Sequence, residues 1–179
     1  QVIVDASLFP EGQRELGTRV VMSPMVVNDN VIDIVITAGA RAGDPATVEV
    51  SPKTSYLTVQ ANLTTVDSGA PSRMRVVEDS SDRDHRVRVL DGTVPRTAPL
   101  NARWVVPSPS RFGEIVFAEL LQDAGVRAIP RLGGREVDLD KLSASYVDSM
   151  LVADHVSLPL TAEAVVLLKT SQNLHASDF

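Results

Sequence analysis

The stretch from Val20 to Val106 constrains the fold most, because short runs rich in Val, Ile and Thr recur there with polar and apolar side chains in alternation. A period of two puts every second side chain on one face, as in a half-buried strand, and a helix cannot hold such a pattern on one side. Tyr56 to Val66, Arg73 to Val77, Arg86 to Leu90 and Arg103 to Val106 all read this way. Gly39 to Pro45 breaks the pattern, and a further strand begins at Ala46 and runs to Val50. Residues Val20 to Thr37 are predicted to form a hairpin. Its apolar run through Val27 meets Asn28-Asp29-Asn30, residue types that tolerate positive φ and brace turns through their side chains. The stretch as a whole is predicted to be antiparallel sheet with polar turns.

Two runs with helical spacing follow. From about Pro109 to Ala124, Phe112, Val116 and Leu120 fall four apart, Ser108 is placed to cap the start, Pro109 suits the first helical position and Gly125 supplies a left-handed stop. The second run, Leu160 to Lys169, ends where Thr170 and Ser171 favour a break. Gly133-Gly134 reads as a turn, and Tyr146 to Val156 as a strand or extended segment. The expected class is therefore α+β and β-rich, with antiparallel sheets and two main helices at about 109–124 and 160–169.

Composition limits the functions available. With 179 residues, 44% of them hydrophobic and 22% charged, the chain holds one medium domain or two small ones and is neither disordered nor membranous in character. Aromatic residues make up only 4%, so Val, Leu, Ile and Ala must build the core. A net charge of −6 without a basic cluster argues against nucleic acid or an anionic membrane surface as partner. The absence of cysteine removes disulfides, thiolate zinc sites and cysteine nucleophiles together. No apolar run approaches the ~20 residues of a transmembrane helix. Gln1 opens directly onto the strand-like Val2-Ile3-Val4 with neither initiator Met nor signal peptide, so a preceding natural segment is expected.

Several side chains carry no chemistry on this reading. His85, His155 and His175 have no ligand spacing, which argues against a metal site. Glu78 to Asp84 is acidic but lacks the glycine and the distal glutamate of a calcium loop, and reads as a solvated hairpin end. Asn62-Leu63-Thr64 is a formal glycosylation sequon without further support, and Trp104 is read as a core anchor.

The remaining signal lies at the end of the chain, where Lys169-Thr170-Ser171-Gln172-Asn173-Leu174-His175-Ala176 follows Leu158-Pro159-Leu160 and an amphipathic run. Three residues of a Ser-x-Asn step mean nothing alone. Upstream, however, stand Asp5-Ala6-Ser7-Leu8-Phe9, then Ser23-Pro24 with Asn28, Asn30 and Asp33, Gly43-Asp44-Pro45, Ser51-Pro52 with Ser55-Tyr56, and Pro109 leading the helix that ends at Ala124-Gly125-Val126. Together these segments resemble the class C low-molecular-mass penicillin-binding proteins, the D-alanyl-D-alanine carboxypeptidase/endopeptidases of peptidoglycan. The resemblance spans nearly the whole chain and is loosest between Ser68 and Arg88. It departs from many members after Ala176, where Ser177-Asp178-Phe179 stands in place of a glutamate.

The resemblance implies a serine acyl-enzyme chemistry in which Ser-x-Asn is the second of three motifs. Neither the first, Ser-x-x-Lys, nor the third, Lys-Thr-Gly, occurs in these 179 residues. The chain is therefore expected to be a piece of the enzyme. Residues 1–66 would be part of a first inserted β-rich domain, 67–107 a second and smaller one, 108–159 the return to the first, and 160–179 the first step back into the catalytic domain.

In such enzymes the serine, here Ser171, helps pass a proton toward the leaving amine, and the asparagine, here Asn173, orients substrate and catalytic lysine. A hydroxyl both donates and accepts, and an uncharged amide offers one acceptor and two donors. Lys169 matches the lysine before the motif, but a cation at a helix C-terminus is equally its ordinary place. Asp5 and Phe9 would border the substrate cleft, pairing a stem-peptide ammonium and packing its methylenes. Otherwise Asp5 caps a turn and Phe9 fills core. The resemblance further implies export to the periplasm or cell envelope, peptidoglycan peptides and β-lactams as ligands of the complete enzyme, and no metal or organic cofactor. The rival reading is an exported β-rich binding or structural module in which Ser171 and Asn173 merely end a helix.

Overall fold

A computed structural model describes residues 1–7, 10–79, 81, 82, 84–131, 137–154 and 156–170. Six strands and three α-helices are built from them: β1 (Val31–Thr37), β2 (Thr47–Ser51), β3 (Leu57–Val66), β4 (Arg73–Asp79), β5 (Arg86–Pro95), β6 (Leu100–Val105), α1 (Pro109–Asp123), α2 (Leu139–Ser143) and α3 (Leu160–Thr170). The strands form two three-stranded sheets, ordered β2-β1-β6 and β3-β5-β4. The class is α+β and β-rich, with the two main helices where helical spacing predicts them.

β1 is the centre of the first sheet. Ile32, Ile34 and Ile36 point inward from it, and antiparallel partners flank it on both sides, Ile34 lying opposite Val50 of β2 and Ala102 of β6. In the second sheet β4 runs antiparallel to β5, whereas β3 pairs with β5 in parallel, Leu57 opposite Arg86 through Val66 opposite Pro95. That parallel pair departs from the antiparallel expectation for this stretch. The chain after β3 first lays down β4, so β5 returns in the direction of β3 and fills the place between them. Backbone bonds from Ala46 to Leu63 and from Thr65 to Asp44 tie the entry of β2 to β3.

One apolar core serves both sheets and α1. It joins the three isoleucines of β1 to Tyr56, Leu57, Leu63, Leu90, Val94, Trp104, Val106, Phe112, Ile115 and Val116. Three of the few aromatic residues meet there, Tyr56 lying 6.0 Å from Trp104 and 5.3 Å from Phe112 in tilted arrangements. Trp104 is the core anchor expected, and its indole Nε1 also donates to Glu78 Oε2 at 3.0 Å.

The hairpin expected over Val20 to Thr37 does not form. Asn28, Asp29 and Asn30 do take positive φ, at 49°, 53° and 53°, but three left-handed residues in succession turn the chain out of the sheet, and both edges of β1 are already occupied by β2 and β6. Val21 bridges Arg14 instead. The turn is held from inside. Fully buried Asn30 accepts from Val27 N at 3.1 Å through Oδ1 and donates to Val21 O at 3.0 Å through Nδ2, while its carbonyl accepts from Val106 N at 2.9 Å. Left-handed backbone costs L-residues roughly 1–2 kcal/mol, least for Asn and Asp. An Asn30→Val substitution, which adds a β-branch and strands two backbone groups, is expected to destabilise the chain by about 3 kcal/mol. The thermal midpoint should fall by about 10 °C, and a shift smaller than about 1 °C would contradict this account of the turn.

Helix α1 starts and stops at the predicted residues, by partly different means. Pro109 occupies the first helical position, but the Ser108 side chain makes no capping bond. Glu11, from a remote segment, caps instead: its carboxylate accepts from Ser110 N at 2.9 Å, from Ser110 Oγ, and from Ser23 Oγ at 2.6 Å. At the far end Gly125, with φ 81°, donates to Gln122 O and Val126 donates to Leu121 O, a Schellman closure. Phe112 and Val116 are buried as expected, but Leu120 is 58% exposed. Each step of four residues overshoots a full turn by about 40°, so the buried stripe passes to Ala118 and Leu121, which pack with Val2 and Ala128.

Of the strand or extended segment expected over Tyr146 to Val156, the described residues form no strand; Val147 and Leu151 are extended on either side of a short 3-10 turn at Asp148–Met150. The short helix α2 was not foreshadowed by periodicity. Asp138 caps it, accepting from Lys141 N at 2.9 Å.

Candidate active site

Of the five residues singled out by sequence, Asp5 and Lys169 are described, while Phe9, Ser171 and Asn173 lie outside the described residues, as do His155, His175 and the Gly133-Gly134 turn. Lys169 stands exposed in the last turn of α3, where its charge complements the helix dipole. No hydrogen bond or ion pair joins it to Asp5 among the described residues.

Asp5 sits in a bend whose preceding residues are anchored from both sides. Val2 N donates to Ile129 O at 2.7 Å, and Val4 N donates to Glu114 Oε1 at 3.2 Å. The Asp5 carboxylate is turned onto its own loop, with Oδ1 accepting from Ser7 Oγ at 2.6 Å and from Ser7 N at 3.0 Å. Those two bonds, the hydroxyl's first, hold its pKa below the ordinary carboxylate value. This is the geometry of a turn cap, and it fixes one oxygen of the carboxylate while the loop faces water.

Behind that bend lies a charged cluster that the sequence reading passed over. Glu114 is fully buried in α1; its Oε2 binds Arg111 Nη1 at 2.6 Å and its Oε1 lies 3.4 Å from Arg131 Nε. Arg111 Nε reaches on to Asp84 Oδ1 at 2.6 Å. Burial works against the Arg111 charge, yet the bonds and charges of Asp84 and Glu114 outweigh it and raise its pKa. The solvated hairpin end expected at Glu78 to Asp84 is thus docked onto α1 through Asp84. Arg111 and Glu114, three apart on a helix and set among Phe112, Gly113 and Ile115, were the available signal. Among the described residues no group of three or more His, Asp or Glu side chains is placed to hold a metal ion, and no helix is long and apolar enough to cross a membrane.

Comparison with known proteins places the chain in a family. The D-Ala-D-Ala carboxypeptidase 3 (S13) family matches residues 1–178, and the chain belongs to that family. A curated relative, the D-alanyl-D-alanine carboxypeptidase of Actinomadura sp. (strain R39), is 26% identical over 146 residues, which is 82% of this chain and 26% of the relative. The chain thus spans about a quarter of that protein's length. Among solved structures, penicillin-binding protein 4 of Haemophilus influenzae shares the fold with a TM-score of 0.54 at 16% identity, over 73% of this chain and 32% of that one. The same protein solved with a novel β-lactam aligns over 62% of this chain and 27% of its own, with a TM-score of 0.45 and 16% identity.

Proposed function

We propose that this chain is the inserted β-rich part, with the first step back into the catalytic domain, of an exported serine-type D-alanyl-D-alanine carboxypeptidase/endopeptidase that trims or cuts peptidoglycan stem peptides. The observation that carries the reading is the family match over residues 1–178, which runs through Lys169, Ser171 and Asn173. Residues 1–159 would be the insertion, divided by sequence near 66/67 and 107/108, and 160–179 the return. The exposed apolar side chains of Met150, Leu151, Val152 and Leu158, just before that return, and of Leu160 and Leu168 within it support a docking onto the catalytic domain, since soluble surfaces rarely leave so much apolar area open without a covering partner.

In the complete protein a serine of a Ser-x-x-Lys motif attacks the carbonyl of the penultimate D-Ala, and the motif's lysine takes the hydroxyl proton. The peptide C–N bond breaks, D-Ala leaves as its nitrogen gains a proton relayed through Ser171, and water hydrolyses the acyl-enzyme. Asn173 orients the peptide and the lysine. β-Lactams would acylate the same serine. This chemistry requires neither metal nor organic cofactor, and release of D-Ala from a stem peptide by the complete protein tests it; no release would sink the reading.

Within this reading Asp5 and Phe9 face the substrate, Asp5 offering a carboxylate to the stem-peptide ammonium. A charge-assisted hydrogen bond is worth roughly 1.5–3 kcal/mol. Asp5→Asn in the complete enzyme is therefore expected to slow hydrolysis of peptides with a free ammonium about ten- to a hundredfold while sparing small neutral substrates. Should both substrate types decline together with the melting temperature, Asp5 acts only through its bonds to Ser7.

A further inference from the structure

We propose that β4 is a self-association edge, through which two copies of this chain pair antiparallel across a twofold axis centred on Val76 and join their second sheets into one six-stranded sheet. β4 stands at the edge of its sheet, with β5 on one side and no strand on the other among the described residues. All seven of its residues are exposed. Natural edges are usually blunted by charged side chains, lysine above all, by proline or by bulges. β4 contains neither Lys nor Pro, and it presents Val76 and Val77 at its middle, 40% and 49% exposed.

The sequence Arg73-Met74-Arg75-Val76-Val77-Glu78-Asp79 is basic at one end and acidic at the other. Charge of that arrangement is complementary to its own antiparallel copy. With Val76 opposite Val76 of the second copy, Arg73 lies opposite Asp79 and Arg75 opposite Val77, and by symmetry each pair occurs twice. This register is the only symmetric one that uses all seven residues. Sliding the strands so that residue 75 sits on the axis would oppose Arg75 to itself, and parallel pairing would stack arginine on arginine, which cross-strand energetics disfavour.

The faces of the strand suit the arrangement as well. Alternation places Arg73, Arg75, Val77 and Asp79 on one face, where Arg75 already meets Asp91 of β5 at 3.3 Å. Met74, Val76 and Glu78 share the other, where Glu78 is held by Trp104. Asp79 accepts from Ser81 N at 3.0 Å, which fixes its carboxylate at the strand's end. The edge is also set firmly on β5, because Gly92 has φ 131° and a Cβ there would lie 1.9 Å from the Arg73 carbonyl oxygen. No side chain could replace that glycine without displacing the start of β4.

The test is the mass of the chain in solution, measured by sedimentation from low to high micromolar concentration, with circular dichroism to establish that each variant folds. The wild type is expected to form a species of twice the 19.2 kDa chain mass. Arg73→Asp alone, or Asp79→Arg alone, sets two like-charged pairs against each other and is expected to raise the dissociation constant by about tenfold or more. The double variant R73D/D79R reverses the pairing and should restore the wild-type constant. A wild type that stays monomeric throughout, a dimer indifferent to the single substitutions, or a double variant no better than the singles would each overturn the proposal. D-Ala release plays no part in this measurement, so it can fail independently of the proposed activity.

Discussion

Replacing Glu114 by alanine is expected to destabilise the chain by about 3–5 kcal/mol, the range found when one partner of a buried ion pair is removed. The carboxylate has no exposed surface and, among the described residues, three partners: Arg111, Arg131 and the backbone N–H of Val4. Deleting it leaves Arg111, whose side chain is only 11% exposed, with Asp84 as its one acidic partner among the described residues. The loss also frees the segment that leads to Asp5. The denaturant midpoint should therefore fall sharply, and amide exchange should accelerate at Val4. Glu114→Gln keeps the shape and one acceptor, and its cost should be clearly smaller. Equal costs for the two substitutions would mean that packing rather than charge holds the cluster together.

The second large effect falls on catalysis. In the complete enzyme Asn173→Ala is expected to lower kcat/KM by roughly 10²- to 10³-fold, the scale on which loss of one preorganised polar group costs an acyl-transfer site. An amide that holds both substrate and lysine contributes only if its donors and acceptor are fixed before the reaction starts, so truncation should depress kcat while leaving folding nearly unchanged. Retention of near-wild-type turnover would reduce Ser171 and Asn173 to the polar end of a helix.

What the sequence revealed follows from how local each signal is. Alternating runs located the strands, four-residue spacing located α1 and an amphipathic run located α3, because both periods are imposed by the backbone and need no distant partner. Pairing is different. The Asn28-Asp29-Asn30 segment announced its left-handed backbone, but nothing local said that β2 and β6 would already flank β1, and so the hairpin expectation failed. Likewise β5 returns between β4 and β3, and β6 leaves the second half of the chain to join β1, so sheet membership does not follow chain order. Caps show the same limit: Ser108 was the nearest candidate for α1, whereas Glu11 does the capping from 99 residues away. At the candidate site, the Ser-x-Asn segment and Asp5 were legible only as parts of a family pattern. Glu114 and Arg111 were overlooked because a charge pair set into an apolar helix face reads as an interruption until Arg131 and Asp84 are seen to meet it.

The most direct measurement of the central claim is covalent labelling by a fluorescent penicillin, read on a denaturing gel. β-Lactams acylate the serine of Ser-x-x-Lys, a motif that these 179 residues do not contain. The complete protein is therefore expected to give a labelled band that survives denaturation, and this chain alone is expected to give none. A label on the isolated chain, or a complete protein that stays dark under the same conditions, would contradict the account.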